Sequence, residues 1–237
     1  MLTTKIAYPE WTDFRKKSGL DPLGMQNSSI DLYQRLLPGI SNVTLRVRYY
    51  GLYAWLVATY ADREGRTATG SWQRFLRRSE ALFALIASYH GDNSGVAGVR
   101  WAGRLLPGKT VINFSPHADP EFKSDRYLMQ AWGAFGAAYG GQVLTIGVLS
   151  EVPGHDVPVP SAEFGDALAK SFSNAVAETA EIFLAAVSQG SVTTDELDLL
   201  EAFAPSQIGT EGEERKLYED LLFRTRRSSG TSGLCAA

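Results

Sequence analysis

The chain has 237 residues, of which 44% are hydrophobic and 21% are charged, and its single cysteine is Cys235. This composition is typical of a soluble globular protein with enough apolar residues for one large domain or two small ones. One cysteine excludes a disulfide framework and argues against a cysteine-based metal site. The N-terminus lacks the pattern of a signal peptide, so a cytoplasmic location is predicted.

Charge is distributed unevenly along the chain. Residues 1–110 hold 15 Lys and Arg against 8 Asp and Glu, a balance of +7, and residues 111–237 hold 8 against 18, a balance of −10, which together give the net −3. Two interpretations remain open: the halves attract each other, or the basic half keeps a face for an anionic partner such as nucleic acid. An isoelectric point near 5.7 argues against a dedicated nucleic-acid-binding protein.

The spacing of apolar residues predicts helices along most of the chain, and Thr193 with Glu196 forms a capping-box pattern at the start of one of them. One short strand is expected at 111–114. The predicted fold is therefore an all-α, multi-helix orthogonal bundle with at most one or two short strands. A single domain is expected over 1–227, with a mobile tail at 228–237 that leaves open a longer natural chain. The predicted helices cover 27–38, 42–61, 71–89, 124–139, 161–188, 194–203 and 211–224.

An uncharged run of 24 residues, 127–150, is long enough to span a bilayer. It contains five glycines, and Gly140-Gly141-Gln142 separates a helix-like part from a strand-like part, QVLTIGVL. A membrane-spanning helix needs a more continuous apolar run. Buried core is therefore the favoured interpretation, and no membrane partner is expected.

Residues 103–110 match the G-x4-G-K-[ST] pattern of a phosphate-binding P-loop, through Gly103, Gly108, Lys109 and Thr110. That chemistry needs a buried strand before the loop and a helix N-terminus directly after it. Here the upstream residues make a poor strand, and the downstream residues are strand-like until a proline interrupts them. A surface turn is favoured over a nucleotide site.

Other catalytic patterns are equally weak. Glu121-x-Lys123 resembles the E-x-K of some metal-dependent nuclease cores, but Pro120 and a predicted helix directly after Lys123 disrupt the strand that such cores require. The three histidines lack metal-ligand spacing, and no Ser or Cys lies in a nucleophile-elbow pattern. We therefore expect no catalytic residues, no metal and no cofactor.

The remaining candidates are basic and aromatic residues. On a helix that begins near 42, or directly after Thr44 if that residue is the N-cap, Arg46 and Arg48 point about 200° apart and cannot share one ligand face. The favoured interpretation is that they bind carboxylates of the acidic half or anchor loops. The alternative is that Arg46 or Arg48 contacts an anion or nucleic acid together with the cluster of Arg74, Arg77 and Arg78, since basic groups among aromatics suit single strands. The candidate binding residues are Arg46, Arg48, Tyr49, Tyr50, Arg74, Arg77 and Arg78.

The same segment resembles a group of uncharacterised bacterial proteins. The shared pattern is a Leu-Pro-Gly turn, a serine, T-x-R-x-R-Y-[FY] and a tryptophan, which here runs from Leu37 through Ser41 and Thr44 to Trp55. The resemblance covers about forty residues. It implies an accessory subunit of an anti-phage defence or DNA-processing assembly, because such proteins tend to be encoded beside helicase or nuclease genes. No catalytic residue is established for the group.

These observations predict a non-catalytic binding subunit whose partners are the protein subunits of a larger complex and, as an open alternative, DNA or RNA. The competing hypotheses are an enzyme, either an NTPase at Lys109 or a nuclease at Glu121 and Lys123, and a purely structural oligomer.

Overall fold

The computed structural model describes residues 28–30, 32–33, 39–41, 43–65, 69–122 and 125–223. Within these ranges the chain is mainly helical, which confirms the predicted all-α class. Of the helix predicted at 27–38, the described residues 28–30 and 32–33 are helical. The rest of that helix and the predicted tail at 228–237 lie outside the described residues.

Two long helices form the centre of the fold. Helix α1 spans Arg48–Glu64, and the ten consecutive residues from 48 to 57 are all buried. Helix α2 spans Thr69–Tyr89 and ends where its sequence pattern predicted. A short helix, α3, spans Val99–Leu105 and packs against α2. Apolar and aromatic residues on all sides of α1 explain why it can be surrounded by other elements.

The middle of the chain is less regular than predicted. Strand β1 (Val111–Asn113) is followed by the one-turn helix α4 (Ser115–Ala118), a π-helix (Phe135–Tyr139) and helix α5 (Gly140–Thr145). The prediction of a helix at 124–139 is therefore wrong over most of its length. The prediction of a break at Gly140–Gln142 is also wrong, because α5 continues directly from the π-helix. No described helix is both long and apolar enough to cross a membrane.

The predicted helix at 161–188 is two helices. Strands β2 (Leu149–Ser150) and β3 (Val159–Pro160) form a small antiparallel sheet, and helices α6 (Gly165–Ala175) and α7 (Ala180–Gln189) follow. Residues 176–179, which separate them, include neither proline nor glycine. The break therefore leaves no signal in the sequence.

The chain then returns to the middle segment. Strand β4 (Ser191–Thr193) pairs antiparallel with β1. The described residues therefore contain four short strands in two small sheets, where one or two strands were expected. Helix α8 (Thr194–Leu199) begins at the predicted capping box, with both reciprocal hydrogen bonds formed, and a 3-10 turn (Leu200–Phe203) completes it. The last described helix is α9 (Glu213–Phe223), which packs against α6.

Aromatic side chains join these elements into one core. Tyr49 of α1 stacks on Tyr139 of the π-helix, with ring centroids 4.4 Å apart, and lies 4.9 Å from Phe83 of α2. Further along α1, Trp55 contacts rings from α6, α7 and the 3-10 turn. Helix α1 therefore contributes to two aromatic clusters, one around Tyr49 and one around Trp55. Contacts with both clusters account for its near-complete burial.

Candidate functional site

Arg48 lies inside the core. Its side chain is 1% exposed, its Nε lies 3.3 Å from Oε1 of Glu214 on α9, and it also donates to the carbonyl of Ala204. Its guanidinium stacks on the Phe172 ring at 5.2 Å. The favoured expectation, that an arginine of this pair binds a carboxylate of the acidic half, is confirmed for Arg48. Its alternative role as a contact for an external ligand is wrong, because no solvent reaches the guanidinium.

Arg46 does not belong to the helix predicted for it. Thr44 accepts a hydrogen bond from the Ser41 amide and donates one to the Ser41 carbonyl, which makes a local turn rather than a helix cap. Arg46 therefore lies in the chain before α1, where it pairs with Asp92 at 2.5 Å. It is 25% exposed and forms an ion pair at the protein surface.

Arg77 is also buried. It is 0% exposed, donates from Nε to the Ala118 carbonyl at 2.5 Å and from the other guanidinium nitrogens to carbonyls of residues 128–131. The guanidinium lies 4.9 Å from the centre of the Tyr127 ring. Arg77 therefore holds the segment between α4 and the π-helix, and the proposal that it binds an external ligand is wrong for the same reason as for Arg48.

Tyr49 and Tyr50 have structural roles as well. Their rings are buried, the Tyr49 hydroxyl accepts the Ala97 amide at 3.2 Å, and the Tyr50 hydroxyl donates to the Gly39 carbonyl at 2.6 Å. Neither ring presents a face on which a nucleic-acid base could stack. The predicted basic and aromatic binding set therefore does not form one surface.

Arg74 and Arg78 do reach the protein surface, and each pairs with an acid that follows α4. Arg78 binds Asp119 through two parallel hydrogen bonds, at 2.6 and 2.8 Å, and also donates to the Ser188 carbonyl at 2.6 Å. Arg74 pairs with Glu121, and both side chains of that pair are about half exposed. These two pairs join the basic and acidic halves, which is the first of the two interpretations of the charge distribution.

Arg74 and Arg78 line an open groove of ≈ 640 Å³. It lies between the end of α1, the start of α2, the end of α7 and the turn after α4, and we call it the α1–α2–α7 groove. Apolar and aromatic side chains form its floor, among them Tyr60, Leu184 and Val187. Charged side chains and the 49%-exposed Phe122 form its rim.

The rim carries permanent charge. Backbone hydrogen bonding, and then the neighbouring Arg74, lower the pKa of Glu121, so this carboxyl stays ionised at neutral pH. A second exposed pair, Arg63 with Glu181 at 2.9 Å, uses the groove-lining arginine at the end of α1. The groove thus combines an apolar floor with balanced, paired charges.

The P-loop pattern falls on the wrong elements. Gly103 belongs to helix α3, Gly108 lies in a turn with φ +72°, and strand β1 follows at Val111. A phosphate-binding loop needs a strand before it and a helix after it, and this order is the reverse. Lys109 and Thr110 are exposed at the turn, so the surface-turn interpretation describes them and the nucleotide-site alternative is wrong.

The nuclease pattern lacks a metal site in the described residues. Glu121 is engaged by Arg74, and Lys123 lies outside the described residues. No group of three or more His, Cys, Asp or Glu side chains in the described ranges is placed to hold a metal ion.

A buried carboxylate that sequence reasoning missed lies in α2. Glu80 is 1% exposed, and each of its oxygens accepts one tyrosine hydroxyl and one backbone amide. Oε1 accepts from Tyr53 at 2.7 Å and from the Phe135 amide at 2.8 Å. Oε2 accepts from Tyr127 at 2.5 Å and from the Ala134 amide at 2.7 Å. Glu80 therefore satisfies the free amides at the start of the π-helix.

Burial raises the pKa of Glu80, against the opposing effect of its four hydrogen bonds. Perturbed carboxyls often mark active sites, but Glu80 does not line the groove and its oxygens are fully engaged. Gly133 packs directly against the Glu80 carboxylate, and no side chain fits at this position because a Cβ would clash with the carboxylate and with the Tyr127 hydroxyl. The role of Glu80 is therefore structural. The sequence feature that could have revealed it is a single acidic residue in α2, directly before a run of apolar residues.

The chain matches no protein-family model, no curated protein and no solved structure.

Proposed function

We propose that this protein is a non-catalytic binding subunit of a bacterial anti-phage defence or DNA-processing complex, and that its α1–α2–α7 groove receives a segment of a partner protein. The observation that carries the proposal is the anatomy of the groove: an apolar floor, an exposed aromatic side chain and a rim of charged residues. Protein interfaces combine an apolar centre with a polar rim and are enriched in aromatic residues and arginine.

The groove rim carries charges of both signs, which supports a segment of a partner protein as its ligand. Arg74 and Glu121 on the rim are each about half exposed, so both can also contact groups of a partner. Exposed ion pairs contribute only about 0–1 kcal/mol to folding, so this pair costs little to rearrange. Phe122 offers an apolar contact beside them. A partner segment with one apolar side chain flanked by charges of both signs fits these features.

The resemblance of residues 37–55 to proteins encoded beside helicase or nuclease genes supports the proposed setting. The rival hypothesis of a structural oligomer uses the same surface for a second copy of this chain. The two are distinguished by whether the groove binds a different protein or this one.

The test reverses the rim charges while keeping the ion pair within the protein. The double variant Arg74→Glu/Glu121→Arg is compared with Arg215→Glu/Glu219→Arg on α9, an exposed pair of similar exposure (50% and 52%). Partners captured from the native host by the wild type are identified, purified and titrated against all three proteins. Phe122→Ala tests the apolar contact.

We expect the groove variant to bind the purified partner about tenfold more weakly or worse, and the α9 variant to bind like the wild type. Equal binding by the groove variant would exclude the groove as the site. A wild-type protein that captures only itself, and forms a defined oligomer by light scattering, would favour the structural oligomer.

A further inference from the structure

A second cavity, of ≈ 450 Å³, contains three arginines and no carboxylate among the described residues that line it. Arg100 and Arg104 come from α3, and Arg126 comes from the chain between α4 and the π-helix. We call this cavity the arginine cleft. Asn93 and the backbone around Gly98 complete its wall.

Arg100 and Arg104 are four residues apart on α3 and therefore lie on one face of the helix. Both are exposed, and neither forms an ion pair with a described residue. This differs from the α1–α2–α7 groove, where Arg63, Arg74 and Arg78 each have an acidic partner. Like charges at this spacing repel each other.

Arg126 is held in place at the same cavity. It donates from Nε to the Phe122 carbonyl at 2.5 Å and from Nη2 to the Pro120 carbonyl at 2.9 Å. Its remaining terminal nitrogen, Nη1, has no hydrogen-bond partner among the described residues. Because carbonyls rather than carboxylates fix this guanidinium, its full positive charge remains available to a ligand.

The acidic residues nearest in sequence to these arginines, Asp92 and Asp125, interact with other groups. Asp92 binds Arg46 and also accepts the Ser206 amide at 2.5 Å. Asp125 has its Oδ2 3.3 Å from His117 Nδ1, and its side chain is 69% exposed. The cleft therefore collects three cations without a counter-charge from the described part of the protein.

We propose that the arginine cleft binds a phosphate group. Planar guanidinium groups match the oxygens of phosphate with paired hydrogen bonds. The aromatic side chains at the cleft, Trp101 and Tyr127, are 4% and 3% exposed, so neither can stack on a base. Recognition is therefore of the phosphate, carried either by the backbone of a nucleic-acid strand or by a free phosphate compound. This inference does not depend on what occupies the groove.

The experiment compares the wild type with Arg100→Gln/Arg104→Gln and with Arg215→Gln, an exposed arginine on α9 that serves as the matched control. Two probes distinguish a free phosphate compound from a nucleic-acid backbone as the source of the phosphate group. They are pyrophosphate and a single-stranded oligonucleotide of about 12 nucleotides. Binding is measured by calorimetry and fluorescence anisotropy from low to moderate salt. Circular dichroism checks that each variant is folded.

We expect the double variant to bind about tenfold more weakly or worse, because it loses two charge-assisted contacts. For the oligonucleotide, the slope of log affinity against log salt concentration should fall by about 1.4, from two contacts at about 0.7 each. Binding of the oligonucleotide without pyrophosphate identifies a strand backbone as the source, and binding of both identifies phosphate in general.

Three results would overturn the proposal. One is that neither probe binds the wild type at low salt. The second is that the double variant binds both probes as well as the wild type does. The third is that Arg215→Gln loses as much affinity as the double variant, which would indicate attraction to overall charge rather than to the cleft.

Discussion

Replacing Glu80 with glutamine tests how the core tolerates a buried carboxylate. In the protein, each oxygen of Glu80 accepts one tyrosine hydroxyl and one backbone amide. Glutamine keeps one of these oxygens and puts an NH₂ group in place of the other. A tyrosine hydroxyl can rotate to accept from that NH₂, but a backbone amide cannot. One buried amide is therefore left without a partner.

An unsatisfied buried donor lowers the free energy of unfolding by about 1–3 kcal/mol. Part of this loss is offset because glutamine, unlike an ionised Glu80, carries no charge that must be buried on folding. The offset depends on pH. The pKa of Glu80 is higher in the folded protein than its ordinary 4.5, mainly because of burial. Between the two pKa values the folded state holds more protons than the unfolded state, so stability falls as pH rises through the folded pKa.

The assay is urea unfolding of wild type and Glu80→Gln across a series of pH values from about 4.5 upward. We expect the variant to be less stable, with the largest difference at the acidic end and a smaller one as pH rises. A difference that grows with pH would refute the reasoning, since it would mean that the four hydrogen bonds lower the pKa of Glu80 below its ordinary value. Glu80→Ala, which leaves four donors unpaired, should cost at least about 4 kcal/mol.

Two further predictions concern other buried groups. Arg48→Met should lower the free energy of unfolding by about 3–5 kcal/mol, because Glu214 stays buried without a cation. The double variant Arg48→Met/Glu214→Met should recover most of this loss. In urea unfolding, a loss for Arg48→Met no larger than that of the exposed control Arg215→Met would contradict the prediction. Burial raises the pKa of Tyr49, Tyr53 and Tyr127 well above 10.0. Their unfolded forms ionise first, so stability should fall as pH rises above 10.0. The tyrosinate absorbance of the buried tyrosines should appear in the same step as the loss of the helical circular dichroism signal. Ionisation of all tyrosines near 10.0 with the helices intact would contradict their burial.

Parts of the fold could be predicted because local chemistry decides them. The capping box at Thr193 and the end of α2 follow from residues within a few positions of each other. The middle segment could not be predicted in this way. There the π-helix starts where Glu80, more than fifty residues earlier, accepts two amides. Long-range contacts of this kind override the helix preference of 124–139.

The candidate sites show the same limit. The charge tally left two interpretations open, and the structure pairs Arg48 with Glu214 of the acidic half but Arg46 with Asp92 of its own half. The tally could not say which arginines remain unpaired. The sequence does not single out Arg100 and Arg104, because the cleft proposed for them depends on Arg126, which is distant along the chain, and on a lining without carboxylates among the described residues.

Arg126 belongs to two surfaces at once. Arg126 lines the arginine cleft, while its hydrogen bonds hold the carbonyls of Pro120 and Phe122. Phe122 forms part of the rim of the α1–α2–α7 groove. A ligand in the cleft that drew the Arg126 guanidinium away from these two carbonyls would release this part of the rim. Thermodynamic linkage then requires the reverse effect with the same factor, so whatever fills the groove would alter the affinity of the cleft.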